Sequence, residues 1–138
     1  MLTLPTLLFR VGTTLYGCDV RDAREILPLR EATRLPGAAP YVRGLINVRG
    51  TIVTVIDLGV RLDSSRTPAR AGSILLVRRR DRLVGLIVDT VADVRPLEID
   101  ESIGAEAGGV IVRGLASLGG APVVVLDLDA LIAQVLLS

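Results

Sequence analysis

The chain has 138 residues, half of them hydrophobic, and sixteen basic residues facing fifteen acidic ones, for a net charge of +1. That balance gives no global attraction to nucleic acid or to an anionic membrane, and no apolar run approaches the roughly 18 residues of a membrane-spanning helix. With no histidine and a single cysteine, the chain lacks the commonest general base, the commonest transition-metal ligand and any internal disulfide.

In chain order, short β signals dominate. Residues 7–11 and 14–20 predict a hairpin about Gly12-Thr13, since apolar-rich segments flank a glycine turn. Residues 21–24 predict a helical turn, 25–29 a short strand, and 30–40 a loop punctuated by Pro36-Gly37 and Pro40. A second hairpin follows, 45–48 with 51–57 about Arg49-Gly50, and then a polar, turn-rich stretch at 63–72. The order then returns: a hairpin from 73–78 and 83–89, a strand over 91–99, a loop over 102–109, and 110–118 paired with 121–126 across Gly119-Gly120. Residues 127–137 predict a helix, with Asp127 as cap and Leu128, Leu131, Ile132, Val135 and Leu136 at helical spacing.

The return is a sequence repeat. Residues 44–58 recur seventy positions later as 114–128, keeping the Gly-Leu start, the turn glycine, two valines and the Asp-Leu end. Upstream, Leu7-Leu8-Phe9-Arg10, Leu15-Tyr16-Gly17 and Pro28-Leu29 recur at an offset of sixty-eight. Two copies of one small all-β fold are expected, with 6–62 as the first barrel, 63–72 as connector, and 73–138 as the second barrel with a C-terminal helix. One departure stands out: Arg49 occupies the tip of the first copy where the second has Gly119.

Catalytic constellations are scarce. Cys18 lies in an apolar strand and reads as a core thiol, because a reactive cysteine needs an electropositive, accessible setting. Asp57 and Asp127 hold the same repeat position and read as turn or helix caps. Arg78-Arg79-Arg80-Asp81-Arg82 reads as a solvated hairpin tip, and Gly108-Gly109 lacks the Lys-Ser/Thr of a phosphate loop. No enzyme activity, cofactor or metal is expected. The first nine residues lack a basic n-region and a small-residue cleavage site, so no signal peptide is expected, and the lone cysteine suits a reducing cytoplasm.

The motifs resemble the CheW family. The resemblance rests on Tyr16-Gly17-Cys18-Asp19-Val20 with Arg24-Glu25-Ile26, on Leu35-Pro36-Gly37-Ala38-Ala39-Pro40-Tyr41-Val42-Arg43-Gly44-Leu45-Ile46-Asn47-Val48-Arg49-Gly50, and on 53–58, 84–94 and 125–129. It departs at Thr54, where the family usually carries proline. The resemblance implies two five-stranded Src-homology-3-like barrels packed together, with a C-terminal helix. It also implies a cytoplasmic adaptor, recruited to membrane-associated arrays. Its partners would be the cytoplasmic tip of a methyl-accepting chemoreceptor and the regulatory domain of the histidine kinase CheA, with no nucleic acid and no membrane insertion. Carried over by position, the receptor-binding residues would be Glu25, Gly44, Arg49, Ile74 and Leu75, drawn from both copies around a groove. Val20 and Ala23 would bind the kinase from one barrel end. The alternatives are an adaptor of another kinase array, such as that of type IV pilus motility, or a small ligand-binding barrel.

Overall fold

The structure, a computed structural model, describes residues 1–79, 81–102 and 111–137. Arg80, Val110 and all of the expected 102–109 loop except Ser102, including Gly108-Gly109, lie outside the described residues. Among the described residues the fold is all-β, with ten strands in two five-stranded sheets. The strands are β1 (Leu2–Val11), β2 (Thr14–Asp19), β3 (Ala23–Pro28), β4 (Val42–Val48), β5 (Thr51–Asp57), β6 (Ser73–Arg79), β7 (Arg82–Val88), β8 (Thr90–Ile99), β9 (Val112–Leu118) and β10 (Ala121–Leu126). Helix α1 (Leu58–Leu62) follows β5, and α2 (Leu128–Leu137) follows β10.

The sheet orders are β8-β1-β2-β10-β9 and β3-β6-β7-β5-β4. Each places a hairpin of one copy among three strands of the other. The chain accordingly divides into a first unit, Met1–Asp22 with Val91–Ser138, and a second, Ala23–Thr90. This corrects the expected boundaries. Neither 6–62 nor 73–138 is a barrel, and 63–72 joins α1 to β6 inside the second unit. The repeat itself holds: Val125 pairs with Gly17 in the parallel β10–β2 ladder as Val55 pairs with Gly85 in β5–β7.

Chain geometry explains the exchange. In the second unit β3 and β7 both run antiparallel to β6, so they are parallel with β6 between them. If β1–β2 served its own copy, β2 would need a parallel crossover to β3, which takes a dozen residues or more. Only the 3-10 turn Val20–Asp22 is available. Three residues reach about 10 Å, half the length of a strand, so β3 must enter another sheet.

Both units close in the same way. In the second, Thr33 exchanges two 2.8 Å backbone hydrogen bonds with Leu45, and in the first Asp100 does so with Leu115 at 2.9 and 3.1 Å. Glycine permits each closure. A Cβ on Gly44 would lie 2.2 Å from the Thr33 carbonyl oxygen, and one on Gly114 2.6 Å from that of Asp100. The cores correspond as well: Val53, Val55 and Leu76 in the second unit take the places of Val123, Val125 and Leu8 in the first.

Asp57 and Asp127 cap the two helices, accepting from Val60 N at 3.3 Å and Ala130 N at 3.1 Å. The short α1 was not expected, although the shared Asp-Leu marks its start in both copies. Leu128, Leu131, Ile132 and Val135 are buried along α2, as the spacing predicts. Cys18 is fully buried, and that burial, with the nearby Asp22 and Asp19 carboxylates, pushes its thiol up to about 12. Such a thiol stays protonated at neutral pH and is no nucleophile.

Candidate functional site

The first copy's departure from the repeat marks a candidate site at the β4–β5 hairpin. Arg49 and Gly50 both have positive φ, 49° and 90°, as do Gly119 and Gly120 at 55° and 85° in the corresponding turn of the second copy. A two-residue hairpin turn of this hand matches the strand twist but favours Gly or Asn. Arg49 is the one non-glycine residue with positive φ among those described. Its side chain is 70% exposed, so no core contact rewards the strain. Strain kept at an exposed tip points to function.

The guanidinium has a fixed partner. Arg49 Nη1 donates to Glu25 Oε2 at 3.2 Å, and Nη2 donates to Oε1, in a bidentate pair. Glu25 lies on β3, at the opposite edge of the sheet from β4, so the pair ties the two edges of the barrel together. Arg30 strengthens the tie by donating from Nη2 to the Asn47 carbonyl at 2.7 Å. Asn47 Oδ1 accepts from Gly50 N at 2.8 Å and fixes the turn. Arg30 and Asn47 were not picked out from the sequence, though Asn side chains commonly bond the nearby backbone at turns. Ile52, cross-strand from Asn47, is 61% exposed and sets an apolar surface beside the charges.

The Arg49 hydrogen bonds, with the Arg49 and Arg30 charges, hold the Glu25 carboxyl below the usual glutamate range. A carboxylate whose pKa falls on folding stabilises the fold above its unfolded value, and that contribution is lost as pH falls through the lowered folded value. The gap in urea-melt midpoint between the native chain and Glu25→Gln is therefore expected to be constant from neutral pH to the ordinary glutamate range and to close below it. The pair is exposed, so salt should shrink the gap as well.

Comparison with known proteins places this hairpin in context. The family pattern described as a CheW-like domain matches residues 5–136. The chain belongs to the CheW-like domain family. The chemotaxis protein CheW of Rhizobium meliloti is 29% identical over 88% of this chain and 83% of that protein. Protein PilI of Pseudomonas aeruginosa is 32% identical over 67% of this chain and 52% of its own length. The crystal structure of the scaffolding protein TtCheW from Thermoanaerobacter tengcongensis superposes with a TM-score of 0.78 at 26% identity, covering 91% of this chain and 90% of that one.

The remaining positions suggested by the CheW resemblance fall unevenly. Glu25, Gly44, Arg49, Ile74 and Leu75 all lie in the second unit, so they do not draw on two barrels as expected. Ile74 and Leu75 are both 0% exposed. Ile74 packs with Val55 and Leu76 in the core, and neither residue offers contact surface. Gly44 is buried too, and its role is the barrel closure rather than direct contact. These three are corrected from contact to framework.

Val20 and Ala23 are half-buried, Val20 opening the 3-10 turn and Ala23 following it, but Val20 belongs to the first unit and Ala23 to the second, not to one barrel end. Asp19 holds that turn. It accepts from the Arg21 backbone at 2.9 Å and from its guanidinium at 2.6 to 3.1 Å. Those bonds, chiefly from the side chain, lower the Asp19 pKa.

Proposed function

We propose that this chain is a non-catalytic scaffold that couples the cytoplasmic tips of methyl-accepting chemoreceptors to the regulatory domain of the histidine kinase CheA. The observation that carries this reading is the strained, exposed and braced Arg49 in a chain of CheW-like sequence. The receptor contact is assigned to Arg49 and Glu25 with the neighbouring Ile52, and the kinase contact to Val20 and Ala23 at the 3-10 turn. The workplace is the cytoplasmic face of membrane-associated receptor arrays; among the described residues no helix is long and apolar enough to cross a membrane.

The likeness to PilI supports a second reading, an adaptor of the same kind in another kinase array, such as that of type IV pilus motility. Co-sedimentation separates the two. The chain is mixed with a receptor cytoplasmic fragment and with either CheA or the kinase of the PilI system. Pelleting of CheA that depends on the chain is expected. Pelleting only of the other kinase transfers the assignment, and pelleting of neither overturns both.

A further inference from the structure

The net charge of +1 conceals a strong internal polarity. Residues 23–90, the second unit, carry twelve arginines and six acidic residues, a net +6; the rest of the chain carries four arginines and nine acidic residues, a net −5. Within the basic unit, a pocket of about 560 Å³ opens between the 34–40 loop and the 67–70 segment. Among the described residues it is lined by Arg34, Arg43 and Arg70, with Asp57 as the one carboxylate.

That carboxylate is already committed. Asp57 is buried, its Oδ1 accepts from Val60 N at 3.3 Å, and its Oδ2 accepts from Ala69 N at 2.8 Å and lies 3.6 Å from Arg43 Nη1. Arg43 is held in place by this contact and by donating to the Ala69 carbonyl at 2.5 Å. Arg34 and Arg70 are exposed and have no ion-pair partner among the described residues. An adjoining pocket of about 790 Å³ shares Arg43 and Arg70 and adds Arg30 and Glu31.

We propose that this pocket docks an acidic segment of a partner protein, its carboxylates taken up by Arg34 and Arg70 beside the fixed Arg43. Guanidinium is the side-chain group best matched to bidentate carboxylate recognition. Leu35, 44% exposed at the pocket wall, supplies a place for an apolar residue of the same segment. A bilayer surface is too flat to enter such a concavity, whereas a peptide enters it readily. The inference rests on the scaffold reading, since it gives the scaffold a docking point distinct from the Arg49 hairpin.

The test uses the full chain and a short fluorescein-labelled peptide of alternating glutamate and leucine, followed by anisotropy. Binding is expected to weaken by about tenfold or more in Arg34→Glu with Arg70→Glu, as for a hot-spot pair, and to fall with added salt. The milder Arg34→Gln with Arg70→Gln serves if the first pair melts early. Arg78→Glu with Arg82→Glu makes the same charge change at the β6–β7 tip, outside the pocket, and is expected to leave most of the binding. Equal losses in the two pairs would reduce the effect to net charge and overturn the proposal. So would binding to phosphatidylglycerol vesicles in place of the peptide, or capture of the acidic unit of a second copy, seen as self-association in sedimentation. A chain that bridges receptor and kinase yet ignores the peptide sinks this inference alone; a chain that fails to bridge sinks the scaffold reading, whatever the peptide does.

Discussion

Gly44→Ala is expected to destabilise the chain by about 3 kcal/mol or more, a large share of the 5–15 kcal/mol typical of a domain. The added Cβ would meet the Thr33 carbonyl oxygen at 2.2 Å and its carbon at 2.8 Å, at a φ of +141° that side chains rarely adopt. Relief by movement is blocked, because Thr33 is pinned to Leu45 by two hydrogen bonds of 2.8 Å. Gly37 provides the control. Its φ is +78°, but a Cβ there would meet nothing within 4 Å, so Gly37→Ala should cost only the backbone term of about 1 kcal/mol. Urea unfolding of the two variants gives the comparison. Equal losses would mean that the closure at Thr33 is looser than described.

Arg49 is expected to divide stability from binding. Arg49→Gly relieves a left-handed arginine and reproduces the Gly-Gly turn of the second copy, so its melting temperature should stay level or rise. Arg49→Ala keeps the backbone strain and loses the Glu25 pair, so it should melt below the glycine variant. Both should weaken the receptor–kinase assembly about thirtyfold, the effect of removing an interfacial hot-spot arginine. Assembly at native strength in either variant would remove Arg49 from the interface. A glycine variant that melts below the alanine variant would contradict the strain.

Much of this was legible in the residues. Period-two apolar segments and Gly turns located all ten strands among the described residues to within a few positions at most ends, because those signals are local. The repeat placed Arg49 at a tip and showed that its counterpart was glycine. What the repeat could not show was which hairpin serves which barrel. The ladders at Gly17–Val125 and Gly85–Val55 are equivalent, so strand pattern alone accepts either pairing. The deciding signal was the three-residue turn Val20–Asp22, too short for a parallel crossover. Ile74 and Leu75 were carried over by position from the resemblance, and position in the chain does not report burial; both are 0% exposed. The Glu25–Arg49 pair joins residues 24 positions apart, and only closure of the sheet brings them together.

The exchange of hairpins underlies the account, since it places β6–β7 between β3 and β5, in the sheet whose two edges the Glu25–Arg49 pair joins. Disulfide formation tests it directly. With Cys18→Ala as background, Tyr16→Cys with Val124→Cys places thiols on partners in the β2–β10 ladder. Tyr16→Cys with Thr54→Cys places them on the partners that an unexchanged first copy would use, because Thr54 occupies the repeat position of Val124. Directly paired strands lie about 4.8 Å apart, within disulfide reach. Under mild oxidation the Tyr16/Val124 pair is expected to cross-link within the monomer; a Tyr16/Thr54 pair that cross-links while Tyr16/Val124 stays reduced would contradict the fold.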